Sequence, residues 1–200
     1  MSKDTTPIIL TSQSLFTARL QITSPFYRYS LIWAKTKAGG FLNANRMPLQ
    51  AHEDITVHYK NLPTYNPQMQ NGKPYVKKAI TNGDGGNYGK FERVGSINKN
   101  NGVRYPTSVI TISNDNHKSL HRTQKPVELM EYLIKTYTNE GDTILDFVMG
   151  SGTTMVACLN TNRNGIGIEL DKNIFSLAIK RVSSITPHYS VEVDGEVKGE

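Results

Sequence analysis

ILDFVMGSGTT, residues 144–154, places Ile144, Leu145 and Phe147 around Asp146, then Gly150, Ser151 and Gly152, then two threonines. An apolar run ending in a glycine turn and followed by TTMVACLN reads as a strand, a tight turn and a helix. Working outward, NGIGIELD reads as a second strand, and KNIFSLAIKRV as a helix with Asp171 as its N-cap and Phe175, Ala178, Ile179 and Val182 inward. Upstream, Pro126 suits a first helical turn, and Val127, Met130, Leu133, Ile134 and Tyr137 recur at spacings of three and four. Glu140, Gly141 and Asp142 end that helix, and TILDFVM follows as a buried strand. Strand, helix, strand, helix implies a parallel pair joined by a right-handed crossover.

A glycine turn of this kind lets a ligand approach the backbone, and the exposed N–H groups of the following helix favour partial negative charge. Glu169 stands at the carboxyl end of the next strand, where an acid commonly hydrogen-bonds a ribose hydroxyl. An adenosine-containing cofactor is therefore expected. The dinucleotide fingerprint wants a third glycine where Met155 stands, which argues against a nicotinamide cofactor and an oxidoreductase.

The remainder divides by composition. In residues 1–60, PIILT reads as a strand, SQSLFTARLQI as a helix capped by Ser12 or Ser14, and YRYSLIWAK and DITVHYK as further strands. Residues 61–122 are rich in Asn, Gly and Tyr and loop-like, and they hold much of the positive charge, including Lys77, Lys78, Lys90, Arg93 and Arg104. Residues 123–186 form the unit around the glycine turn, and 187–200 read as a frayed tail. The chain has 200 residues, with 23 Lys plus Arg against 17 Asp plus Glu, a formal +6 that suits a polyanionic partner. Cys158 is the sole cysteine, so neither an internal disulfide nor a Cys-rich metal site is available. His117 and His121 stand four apart without a third ligand, and no metal site is expected. No apolar run approaches the roughly 18 residues of a membrane span, and a soluble, cytoplasmic protein is expected.

HRTQKPVELMEYLI followed by ILDFVMGSGTTMVACLNTNRNGIGIELD resembles the adjacent cofactor motifs of amino-methylating DNA methyltransferases of the beta arrangement, which modify adenine N6 or cytosine N4. The resemblance extends backwards through YRYSLIWAK, FLNANRMPLQAHEDITVHYK and TYNPQM, so it covers nearly the whole chain. It implies an α/β, Rossmann-like methyltransferase fold, a mixed seven-stranded sheet with a loop-rich target-recognition insertion at 61–122, and S-adenosylmethionine as cofactor. It also implies that Asp146, Gly150, Ser151, Gly152, Thr153 and Thr154 surround the methionine part, with Thr123, Gln124, Lys125 and Pro126 against it from the preceding loop. Glu169 would take the ribose hydroxyls, and Asp171 would cap a helix or lie near the adenine. The family usually has phenylalanine where this chain has Val148, which would weaken that contact. Lys77, Lys78, Lys90, Arg93 and Arg104, interleaved with Tyr75, Tyr88, Phe91 and Tyr105, are expected to contact DNA.

Methyl transfer to an exocyclic amine needs the target base out of the helix, stacked, with its N–H groups held by acceptors. The family uses Asp, Asn or Ser, then two prolines and an aromatic, and no such tetrapeptide occurs in these 200 residues. In family order it would precede PIILT, on a strand beside TILDFVM, so an incomplete sheet with unpaired edges is expected. The nearest match, SPFY at 24–27, sits in a helix-to-strand connection and reads as a loop. Cytosine C5 chemistry needs a cysteine nucleophile, normally after proline, whereas Cys158 follows Ala157 in an apolar helix. No catalytic residue is therefore assigned. The expectation is a site-specific DNA methyltransferase of restriction-modification type, transferring a methyl group from S-adenosylmethionine to an exocyclic amine, with adenine N6 the expected target. The alternative is an inactive fragment or subunit that binds DNA or S-adenosylmethionine and needs a separate polypeptide for the catalytic motif; a homodimer is the other partner expected besides DNA.

Overall fold

The first apolar run forms strand β1 (Ile8–Ser12), followed by helix α1 (Ser14–Thr23). The computed structural model describes residues 4–78, 97–114 and 124–185. Neither serine caps α1, contrary to expectation: Gln13 holds the cap position without a side-chain bond, and Ser14 has φ of 49°. Ser12 is engaged elsewhere, its hydroxyl 2.8 Å from that of Thr17, which donates to Asp54 at 2.7 Å. Strands β2 (Tyr27–Gly39) and β3 (Gln50–His58) follow, rich in the β-branched and aromatic residues that suit a pleated surface. Ser24, Pro25 and Phe26 form the connection from α1 into β2, as expected for SPFY.

Four short strands come next: β4 (Gln70–Asn71), β5 (Tyr75–Lys78), β6 (Ile97–Asn100) and β7 (Val103–Arg104). They pair antiparallel, β4 with β7 and β5 with β6. Residues 67–107 form one compact unit, and 1–66 together with 108–200 form the other. Strand β8 (Val109–Ile112) belongs to the second of these, although it lies inside the stretch read as loop-rich. Its four residues alternate so that Ile110 and Ile112 are buried, a period-two signal too short to stand out among Asn and Gly.

The larger sheet runs β1-β3-β2-β8, with β3 antiparallel to β1 and β2, and β2 parallel to β8. Central β3 buries Ile55, Thr56 and Val57 completely. Helix α2 (Val127–Tyr137) covers this sheet: its Leu129, Leu133 and Tyr137 pack with Trp33, Ile55, Val57, Ile110 and Ile112. Leu129, one position off the expected stripe, is fully buried. Each such side chain contributes on the order of 1.5–3 kcal/mol of apolar burial. Tyr29 and Tyr137 join hydroxyls at 2.9 Å, and burial raises the pKa of both phenols.

Strand β9 (Thr143–Asp146), helix α3 (Thr153–Asn160), strand β10 (Asn164–Gly167) and helix α4 (Lys172–Ile185) complete the fold. Strands β9 and β10 pair in parallel, Leu145 opposite Ile166. Ile134 of α2 packs with Ala157 and Cys158 of α3, so one helix serves both sheets. β9 is shorter than TILDFVM and is not buried: Leu145 is 57% exposed and its neighbour Ile166 53%. Ile144 meets the α3 cluster, while the face bearing Leu145 and Ile166 is open. Among the described residues β1 pairs only with β3, and β9 only with β10. The seven strands implied by the resemblance appear here as a mixed four-stranded sheet and a parallel pair, with one edge of β1 and one of β9 unpaired.

Candidate functional site: a glycine turn closed by two acids

The turn after β9 is held from both strands. Asp146, the last residue of β9, accepts the Val148 amide at 3.1 Å and the Thr154 hydroxyl at 2.5 Å, fastening the turn to the first residues of α3. Glu169, just past β10, accepts the Gly150 amide at 3.0 Å with one oxygen and the Asp171 amide at 3.0 Å with the other. Gly150 and Gly152 have φ of 54° and 75°, the left-handed region that disfavours side chains. A Cβ on Gly150 would meet nothing within 4 Å, so the turn is open above it. A Cβ on Gly152 would lie 3.2 Å from that of Ala178, so this glycine also lets α4 close in. α3 starts without a side-chain cap, which leaves its first amides as donors beside the open turn.

Ser151 is buried and ties three elements together. Its hydroxyl donates to Gln124 Oε1 at 3.0 Å, and its carbonyl accepts from Arg181 Nη1 at 3.0 Å. The same guanidinium donates to the Thr153 hydroxyl at 3.0 Å, and burial lowers its pKa. Arg181 lies in KNIFSLAIKRV without a role legible from the sequence, since a basic residue late in a helix carries no local sign that it turns inward. Met155, standing where a third glycine would be, fits because Gly165 of β10 presents no Cβ, which would lie 2.8 Å from the Met155 sulfur.

Gln124 and Lys125 also line a cavity of about 460 Å³ with Thr11, Ser12, Gln13, Trp33, Lys35, Glu53 and Asn114. Glu53 is buried and takes Lys35 at 2.6 Å and Lys125 at 2.5 Å. SPFY lies at the far end of the same strand: Tyr27 and Lys35 stand about 26 Å apart along β2 at the rise of a strand.

The structure brings Gln124, Asp146, Gly150, Ser151, Gly152, Thr153, Thr154 and Glu169 to one turn. Asp171 caps α4, accepting the Asn173 and Ile174 amides at 2.8 and 3.1 Å. Val148 is 70% exposed. Pro126 begins α2 at the cap position. In the other unit, Lys77 and Lys78 are exposed on β5. Arg104 is held in place, its guanidinium 4.6 Å from the Tyr75 ring and donating to the Lys73 carbonyl at 2.6 Å. Thr123, Lys90, Arg93, His117 and His121 lie outside the described residues. No metal-binding cluster occurs among the described residues, and no helix there is long and apolar enough to cross a membrane. Cys158 is buried, and burial, with the Asp146 charge, pushes its thiol up to about 12.

A glycine turn between parallel strands, closed by an acid at each strand end, defines a Rossmann-like nucleotide-cofactor fold. Residues 6–180 match the family described as DNA methylase, and the chain belongs to that family. The type II methyltransferase M.HindIII of Haemophilus influenzae is 33% identical over 129 residues, covering 60% of this chain and 40% of that protein. The DNA adenine methyltransferase YhdJ of Escherichia coli is 36% identical over 78 residues, covering 39% of this chain and 26% of that one. The chain thus spans less than half the length of these curated relatives. The crystal structure of an M1.HpyAVI–SAM complex superposes with a TM-score of 0.59 at 26% identity, covering 90% of this chain and 75% of the other.

Proposed function

We propose that this chain binds S-adenosylmethionine at the glycine turn and serves methyl transfer to an exocyclic amine of DNA, adenine N6. The observation that carries the reading is the Gly150–Glu169 bond of 3.0 Å, which puts an acceptor carboxylate at the mouth of a turn with open space above Gly150. Those residues fit the cofactor: a carboxylate has further lone pairs for two hydroxyls, and the donors at the start of α3 suit a carboxylate ligand. When bound, the cofactor supplies a methyl group activated by its sulfonium. Asp146, fixed by Thr154, sets the shape of the turn, and Gln124, just ahead of α2, accepts the Ser151 hydroxyl. Lys77 and Lys78, with Lys90, Arg93 and Arg104, contribute phosphate contacts that position DNA without reading its sequence. The name of the Escherichia coli relative supports adenine as the target.

A second reading concerns where the catalytic group comes from. The unpaired edges of β1 and β9, and the exposed Leu145 and Ile166 on the β9–β10 pair, support a further strand that carries the catalytic group and lies outside these 200 residues. The test is transfer of labelled methyl to unmethylated DNA by the purified chain, alone and with a companion polypeptide carrying the family tetrapeptide. Transfer that requires the companion is expected. Transfer by the chain alone would refute the need for a partner, and no transfer under either condition by folded protein would refute the methyltransferase reading.

A further inference from the structure

Glu53 lies in FLNANRMPLQAHEDITVHYK but outside the cofactor motifs, and it holds a buried charge cluster. Its side chain is 8% exposed and accepts Lys35 on one oxygen and Lys125 on the other. Both ammonium groups lie over the Trp33 ring, at 5.3 and 5.8 Å, and Trp33 is itself fixed by donation from Nε1 to the Ile112 carbonyl at 2.9 Å. Burying such a cluster costs several kcal/mol of desolvation per ion, and apolar residues of similar volume often serve stability as well. Its place in the fold offers another use. Glu53 stands on β3, in the four-stranded sheet, while Lys125 is the neighbour of Gln124, which accepts the Ser151 hydroxyl in the turn after β9. A carboxylate on the central strand therefore grips one end of a two-residue link whose other end touches the glycine turn.

We infer that Glu53 is a positioning residue for the cofactor turn: through Lys125 it holds Gln124 against Ser151, and so fixes the turn in its binding shape. The inference deepens the proposed cofactor site and rests on that reading. Without the carboxylate, the Lys125 ammonium extends to water and the link loses its anchor on the sheet. Lys35 does not substitute, because it carries the same charge and lies on β2.

The test uses the full 200-residue chain and its Glu53→Gln, Gln124→Ala and double variants. It reads amide hydrogen exchange at Gly150 and Gly152 without cofactor, and S-adenosylmethionine affinity by calorimetry. E53Q, near-isosteric, is expected to speed turn-amide exchange severalfold and to weaken the cofactor about tenfold. Q124A is expected to do the same, and the double variant to be no worse than Q124A, since both cut one path. Unchanged exchange in E53Q, or effects that multiply in the double variant, would overturn the inference. If E53Q fails to fold, Lys125→Met, which keeps the Glu53–Lys35 pair, must reproduce the turn-specific exchange; unchanged exchange there would overturn it equally. Wild-type protein that binds no cofactor would defeat the proposed function, while the exchange data would still decide the role of Glu53.

Discussion

Glu169 accepts the amide of Gly150 at 3.0 Å, so the acid at the end of one strand closes the turn at the end of its neighbour. Replacing Glu169 with alanine removes the acceptor for that amide and the proposed acceptor for the ribose. S-adenosylmethionine affinity should fall by about 1.5–3 kcal/mol, the range for a hydrogen bond to a charged group, when measured by calorimetry. An affinity within about twofold of wild type would place the ribose elsewhere.

Gly150 and Gly152 should separate binding from stability. Gly152→Ala adds a Cβ 3.2 Å from Ala178 at a φ of 75°, so α4 must give way. A left-handed non-glycine costs about 1–2 kcal/mol before any clash, and about 2–4 °C of Tm per kcal/mol suits a chain of this length. Gly150→Ala carries the φ penalty alone and fills open space above the turn. Thermal melts should rank G152A below G150A, whereas G150A should retain stability better yet lose cofactor affinity.

The Glu53 cluster predicts an acid-sensitive step. Burial pushes this carboxyl up, and the hydrogen bonds and charges of Lys125 and Lys35 outweigh that, leaving it below its ordinary value. A depressed carboxyl contributes stability above its unfolded pKa and loses it as pH falls through the folded one. Wild type should therefore exceed E53Q in Tm at neutral pH, and the gap should close as pH drops below about 4.5, the ordinary value. A gap that stays constant across that window would mean that Glu53 does not act as a charge.

Cys158 should behave as a core thiol. With its pKa pushed up to about 12 and its side chain enclosed by α2 and α3, it should resist iodoacetamide at neutral pH in native protein. One equivalent should react once denaturant is added. Fast native labelling would show that this helix opens.

What the sequence made legible was local. Asp171 caps α4 because its acceptor sits two and three residues from the amides it serves, and the turn between Asp146 and Glu169 follows from spacing within one strand–helix–strand unit. What it concealed was long-range. Glu53 reaches Lys125 across 72 residues and Arg181 reaches Ser151 across 30, and nothing in their own neighbourhoods announces those partners. β8 escaped because four alternating residues are a weak signal beside many asparagines and glycines. Leu145 misled for a different reason. Its run is as apolar as a buried strand requires, but burial depends on what covers the face, and among the described residues nothing completes the sheet on that edge.

The most direct test of the glycine turn as a cofactor cradle is calorimetric titration of the folded chain with S-adenosylmethionine, with NAD as the comparison. Saturable binding of one S-adenosylmethionine per chain and none of NAD is predicted. NAD binding, or no S-adenosylmethionine binding by protein with an intact thermal transition, would contradict it.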